Sequence, residues 1–162
     1  MVAFPSMAHW IFQSNPKHFD LPEALKKAPA HGNVLTFLVT KYEKEIMPGD
    51  TVYLYFAGKR SPGLYATATV LTCPDKIPQE DYQQVYATDG PHPWDAEETL
   101  RVRLKIEQHL DPPVTRRDIC EEEVLATHQL FRAGAGTNFS LKPEQADAIK
   151  RLIAAPRALR GH

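Results

Sequence analysis

Residues 47–57 read MPGDTVYLYFA, a turn followed by the strongest strand in the chain. Met47-Pro48-Gly49-Asp50 has turn chemistry. From Thr51 the side chains alternate, with Val52, Leu54 and Phe56 toward one face and Tyr53, Tyr55 and Ala57 toward the other. Gly58 to Pro62 is a hairpin-like connection, and Gly63 to Thr72 (GLYATATVLT) pairs with it as the next strand.

On the N-terminal side, His9 to Gln13 (HWIFQ) reads as a first strand, ended by Asn15-Pro16. Asp20 is placed to cap a short helix that carries Pro22 and Glu23 in its first turn and Leu21, Ala24 and Leu25 as its apolar stripe. In Val34 to Ile46 the spacing of Leu35, Phe37, Leu38, Tyr42 and Ile46 predicts a helix face more than a strand. On the C-terminal side, residues 73–98 hold several prolines, Tyr82, Tyr86 and Trp94, with no period. A loop of that length inside a compact domain is usually functional or disordered. Thr99 to Gln108 alternates Leu100, Val102, Leu104 and Ile106 with Arg101, Arg103, Lys105 and Glu107, a half-buried strand with a basic outer face closed by Asp111-Pro112-Pro113. Thr115 to Asp118 is expected to cap a short helix reaching Leu125, and Gln129 to Ala133 to form another strand. Gly134 to Phe139 is a Gly-rich turn, and Pro143 to Ile153 a final helix with Ala146, Ile149, Leu152 and Ile153 inward. Residues 1–155 make one domain and 156–162 a flexible tail. Several short strands with two or three helices imply a small closed or half-closed sheet flanked by helices.

The 162 residues suit one domain, and 43% hydrophobic content is enough for one sizeable core. Nineteen Lys and Arg against 20 Asp and Glu give a net charge of -1, which rules out a global field that concentrates nucleic acid. A binder of this charge relies on a local patch and a specific pocket. Cys73 and Cys120 make no disulfide framework, and residues 1–9 have neither the basic nor the apolar part of a signal peptide. No apolar run approaches membrane-spanning length, so the expectation is a cytoplasmic protein away from membranes. None of the seven histidines pairs with another His or a Cys at metal-ligand spacing, so neither a metal nor a cofactor is expected. Cys120 is followed by three glutamates, which disfavour a thiolate, and no Gly-x-Ser-x-Gly elbow is present.

Four stretches share an order and spacing that together are specific. They are Trp10-Ile11-Phe12-Gln13-Ser14-Asn15-Pro16 with Phe19-Asp20-Leu21; Tyr42 and Glu45-Ile46 leading to Pro48-Gly49-Asp50-Thr51-Val52-Tyr53-Leu54-Tyr55; Gly58-Lys59 with Pro62-Gly63-Leu64-Tyr65-Ala66; and Gly136-Thr137-Asn138-Phe139 leading to Glu144-Gln145. Spanning residues 9 to 153, they resemble the EVE family, relatives of the YTH modified-base readers in the PUA-like group. The resemblance implies an α+β fold, a PUA-like twisted, mostly antiparallel β-barrel flanked by helices. It also implies a binding module, not an enzyme. Such a module reads a methylated or hydroxymethylated cytosine, or a methyladenine, in DNA or RNA, by flipping it into an aromatic pocket.

The implied pocket residues are Trp10, Gln13, Ser14, Asn15, Phe37, Tyr55 and Trp94. Asn15 corresponds to a base-contacting Asn of the YTH readers, and an amide both donates and accepts. Phe37 stands where the family usually carries Trp. Tyr55 is assigned to the pocket and Phe56 to the core, while Trp94 closes over the base, with Tyr82 and Tyr86 as weaker rivals. Lys59, Arg60, Arg101 and Arg103, with Lys105, Arg116 and Arg117 near them, are candidate contacts to the phosphate backbone. Thr137 and Asn138 offer backbone N–H groups for a phosphate, although Asn in such a turn more often tolerates a left-handed conformation. Family members often sit beside or fused to restriction or modification proteins, which makes such a protein a further implied partner. The alternative is an ASCH-type amidohydrolase acting on modified nucleosides, for which Thr40, Lys41 and Glu43 supply the residue types. A third reading is a protein-interaction domain with an exposed aromatic patch.

Overall fold

The computed structural model describes residues 7–86, 99–131 and 136–155. Six strands, β1 (His9–Ser14), β2 (Val34–Leu38), β3 (Thr51–Phe56), β4 (Gly63–Val70), β5 (Arg101–Thr115) and β6 (Asn138–Leu141), form one sheet in the order β2-β5-β4-β3-β1-β6. Only β1 and β3 run parallel; the other neighbouring pairs are antiparallel. The helices are α1 (Leu21–Lys27), α2 (Arg116–Cys120), α3 (Glu123–Ala126) and α4 (Pro143–Ala154). The mixed, mostly antiparallel sheet with flanking helices is the fold the resemblance implied.

Each face of the sheet carries its own core. Trp10 and Phe12 of β1, Leu35 and Phe37 of β2, Val52 and Leu54 of β3, Ala66 and Ala68 of β4 and Val102, Leu104 and Ile106 of β5 pack with α1 on the inner face. Ile11, Tyr53, Tyr55, Leu64, Leu110 and Val114 pack on the outer face against α2, α3 and α4. The alternation read from β3 is therefore kept, and both of its faces are buried.

Three expectations are corrected. Val34–Leu38 is a strand, because Leu35, Phe37 and Val39 lie two apart and all enter the inner core. A short apolar run fits both periods, and the β-branched Val34, Thr36 and Val39 favour the extended one. Gln129–Phe131 is a 3-10 turn, not a strand, and Ala133 lies outside the described residues. β5 does not end at its prolines but continues to Thr115. Leu64 faces Val114 while Ala66 faces His109, so Leu110 to Pro113 bulge opposite Tyr65, where a proline costs no ladder bond.

The caps follow the sequence. Asp20 accepts from the Glu23 amide at the start of α1. Thr115 and Asp118 form a reciprocal capping box at α2. The reach from Thr115 to Leu125 is divided between α2 and α3. Within 73–98, Asp75 bridges to Arg101, and Asp81–Tyr86 forms a 3-10 helix.

Candidate nucleic-acid interface

Side chains, not a ladder, bring the two edges of the sheet together. On either side of β2, Asn33 bonds to Ile106 of β5 and Val39 to Leu100 just before it, so Val34, Thr36 and Leu38 turn their backbone groups to the free edge. Tyr82 donates its hydroxyl to the Val34 carbonyl (2.6 Å). The buried Gln83 amide accepts from the Thr36 amide (2.8 Å) and donates to the Thr36 carbonyl (3.1 Å). Asn138, the first residue of β6 at the opposite edge, donates to the Leu38 carbonyl (3.0 Å) and accepts from the Thr40 amide (2.8 Å). Asn138 thus closes the curl of the sheet. A buried polar group needs such partners, and Asn138 is 3% exposed. It is not left-handed: among the described non-glycine residues only Asn33, Tyr42 and Ser61 have positive φ. Gln83 and Asn138 were missed as structural residues. A lone buried amide has no period, and only its place beside an edge strand would have marked it.

The inner face near this closure carries three of the expected pocket residues, Trp10, Ser14 and Phe37. The Phe12 and Phe37 rings meet at 5.4 Å, and Phe37 is 6% exposed. Trp10 lies one pleat further along, against Tyr42, with its indole N–H donated to the buried Asp50 carboxylate (2.9 Å). Ser14 ends β1 on the same face, its hydroxyl directed to the Phe19 carbonyl (3.5 Å). Asn15 follows, exposed, its side-chain oxygen accepting from the Lys17 amide (2.9 Å) in an Asx turn. Gln13 points to the other side of β1 and donates to the Gly136 carbonyl (2.8 Å).

Tyr55 is not brought to this surface. It lies across the sheet in the outer core, 0% exposed, while Phe56 sits half-buried on the inner side against Tyr65. Burial raises the Tyr55 phenol, and the nearby Arg116 guanidinium only partly opposes it. Its hydroxyl finds no hydrogen bond of good geometry among the described residues. Trp94 lies outside the described residues, but both anchors of its segment are seen. The Tyr86 carbonyl accepts from the Asp20 amide (2.8 Å), and the Leu100 carbonyl from the Val39 amide (2.9 Å). Tyr86 therefore lies beside Asp20, and Leu100 beside the end of β2. Tyr82 is occupied as an anchor, stacked on His31 at 4.2 Å. Burial, reinforced by Glu80 and Tyr86, pushes its phenol up to about 12, which keeps it a neutral donor.

The cations divide into two groups. Arg101 is buried, and Arg103 pairs with Glu80 at 3.4 Å. Lys59 and Arg60 are exposed on the β3–β4 turn. Thr40 and Lys41 are engaged separately: the Lys41 ammonium lies over the Tyr42 ring at 5.0 Å, and the Thr40 hydroxyl faces the Asn138 oxygen. Among the described residues, no three His, Cys, Asp or Glu side chains gather as a metal-binding group, and no helix is long and apolar enough to cross a membrane.

The EVE domain family profile matches residues 8–152. No curated protein matches the sequence significantly. Among solved structures, a hypothetical protein from Leishmania major superposes with a TM-score of 0.66 at 14% identity, covering 92% of this chain and 96% of that one. Human THYN1 protein, in complex with 5-methylcytosine-containing DNA, gives 0.65 at 12% identity, covering 92% and 99%. The YTH domain of Zygosaccharomyces rouxii MRB1 protein, in complex with N6-methyladenosine RNA, gives 0.50 at 14% identity, covering 94% and 91%. At these identities the likeness is one of fold.

Proposed function

The chain belongs to the EVE domain family, and on that premise we propose that it binds nucleic acid through one modified base, turned out of its stack into the region between the end of β1 and β2. The observation that carries this reading is the placement of Phe37 and Ser14 on one face, next to exposed Asn15, with Tyr86 bonded to Asp20 and Leu100 to Val39 nearby. The complexes of the THYN1 protein and the MRB1 YTH domain support the ligand class.

The energetics set what the site must contain. Flipping a base costs a few kcal/mol, and one aromatic wall returns about 1–3 kcal/mol. A single ring barely offsets the flip, so two walls and an edge contact are needed. Phe37 is one wall, Trp94 the second, and the Asn15 amide the edge contact. Tyr55 has no part, being closed off behind the sheet. The protein acts as a binding module: Lys41 is held on Tyr42, and Thr40 by Asn138. Any cutting or modification is the task of a partner enzyme.

The test is a binding panel of short labelled DNA and RNA strands carrying 5-methylcytosine, 5-hydroxymethylcytosine or 6-methyladenine, each against its unmodified control. The expected result is preference for one modified strand. Equal binding of every strand, or none, overturns the reading.

A further inference from the structure

Four register-matched residues, Ser14, Phe56, Gly63 and Thr115, form a straight row across β1, β3, β4 and β5 at one end of the sheet. The residues immediately beyond that row are Asn15, the turn from Ala57 to Pro62, and Arg116. Two backbone bonds tie them together: Ala57 N–H to the Ser14 carbonyl (2.9 Å) and Arg116 N–H to the Pro62 carbonyl (2.9 Å). A Cβ at Gly63 would overlap the Val114 carbonyl oxygen, so β4 starts directly against β5 where the turn ends. The turn that carries Lys59 and Arg60 is thus bonded through its backbone to Arg116 at the start of α2, at the same end of the sheet as Asn15.

These cations differ from those of the β5 face. Among the described residues Lys59 and Arg60 form no ion pair. The Arg116 guanidinium rests on the Phe131 ring at 4.8 Å, which orients it, and it forms no ion pair among the described residues. Arg117 is paired with Glu121 of its own helix, and Asp118 is engaged in the Thr115 capping box. Arg103 is neutralised by Glu80, and Arg101 is buried. In a chain of net charge -1, three such cations on the rim at this end of the sheet, without an ion pair among the described residues, form a local anion-attracting surface.

We infer that the strand flanking the flipped base lays its phosphodiester backbone across this rim, over Lys59, Arg60 and Arg116, and does not run along the basic face of β5. The inference rests on the proposed base-reading function and names the backbone path at that same site. Phosphate contacts of this kind set register and supply salt-dependent affinity without sequence information. Their removal weakens modified and unmodified strands alike.

The experiment compares the wild-type chain with Lys59→Gln/Arg60→Gln, Arg116→Gln and Arg103→Gln. Binding of the preferred modified strand and its control is measured across a salt series, with unfolding midpoints recorded for each variant. The double variant is expected to lower the slope of log affinity against log salt by about 0.7 per cation removed on a single strand. Arg116→Gln lowers it again, Arg103→Gln leaves it unchanged, and the ratio of modified to unmodified affinity stays constant throughout. An unchanged slope in the double variant, with modified-base preference intact in the wild type, overturns the path and leaves the base-reading function standing. A wild-type chain that binds no strand overturns both.

Discussion

Asp50 shows how one side chain fixes the local frame of the site. Its carboxylate accepts from the Ala8 amide, the Met47 amide and the Trp10 indole, and it is 3% exposed. Asp50→Asn replaces one acceptor oxygen with a donor, leaving a buried N–H facing another donor. That costs about 1–3 kcal/mol; an unchanged urea midpoint would show that the three bonds contribute nothing. His9 makes a second residue-scale prediction. Burial, with the Lys150 charge second, holds its imidazole below the ordinary 6.5. Between the folded value and 6.5 the unfolded chain binds more protons, so His9's contribution to stability is full above about 6.5 and is lost as pH falls toward the folded value. His9→Gln is expected to flatten that acid loss, and an equally steep fall in the variant's urea midpoint contradicts it. At this scale the sequence was informative where a residue type carries one role, as with the Asp20 and Thr115 caps. It was silent on Asp50, whose three donors come from residues 8, 10 and 47.

The decisive element is β2. Its pattern fits a helix face and a strand equally over five residues, and tertiary pairing decides between them. β5 takes one edge, and the amides of Gln83 and Asn138 take the other. Gln83→Leu leaves the Thr36 amide and carbonyl unpaired, and Asn138→Ala does the same for Leu38 and Thr40. Each is expected to cost at least about 2 kcal/mol. Hydrogen exchange should quicken at Thr36 in the first variant and at Thr40 in the second. Protection retained at both amides would mean that water or backbone replaces the side chains. The strands β3 and β4 and the helix α4 were legible because their patterns are long and regular. The edge seal was not, because it is built from two isolated amides 55 positions apart.

At the scale of the whole molecule, the mixed sheet and the flanking helices were legible from the order of four short stretches. The division of the sheet into two buried faces was not. Alternation along β3 separates Tyr55 from Phe56, but it does not say which face receives α2, α3 and α4. Those helices cover Tyr55 and leave Phe56 beside Tyr65. The same gap separates the two groups of arginines, because pairing of Arg103 with Glu80 depends on how residues 73–86 return to β5. Whether the inner face at the end of β1 reads a modified base is decided by the ratio of affinities for a strand carrying the preferred modified base and its unmodified control, measured for the wild-type chain and for Phe37→Ala. The expected outcome is a ratio well above one in the wild type and a loss of about 1–3 kcal/mol of modified-strand binding in the variant, tenfold or more near the middle of that range. A ratio of one in the wild type, or a ratio unchanged in Phe37→Ala, would contradict it.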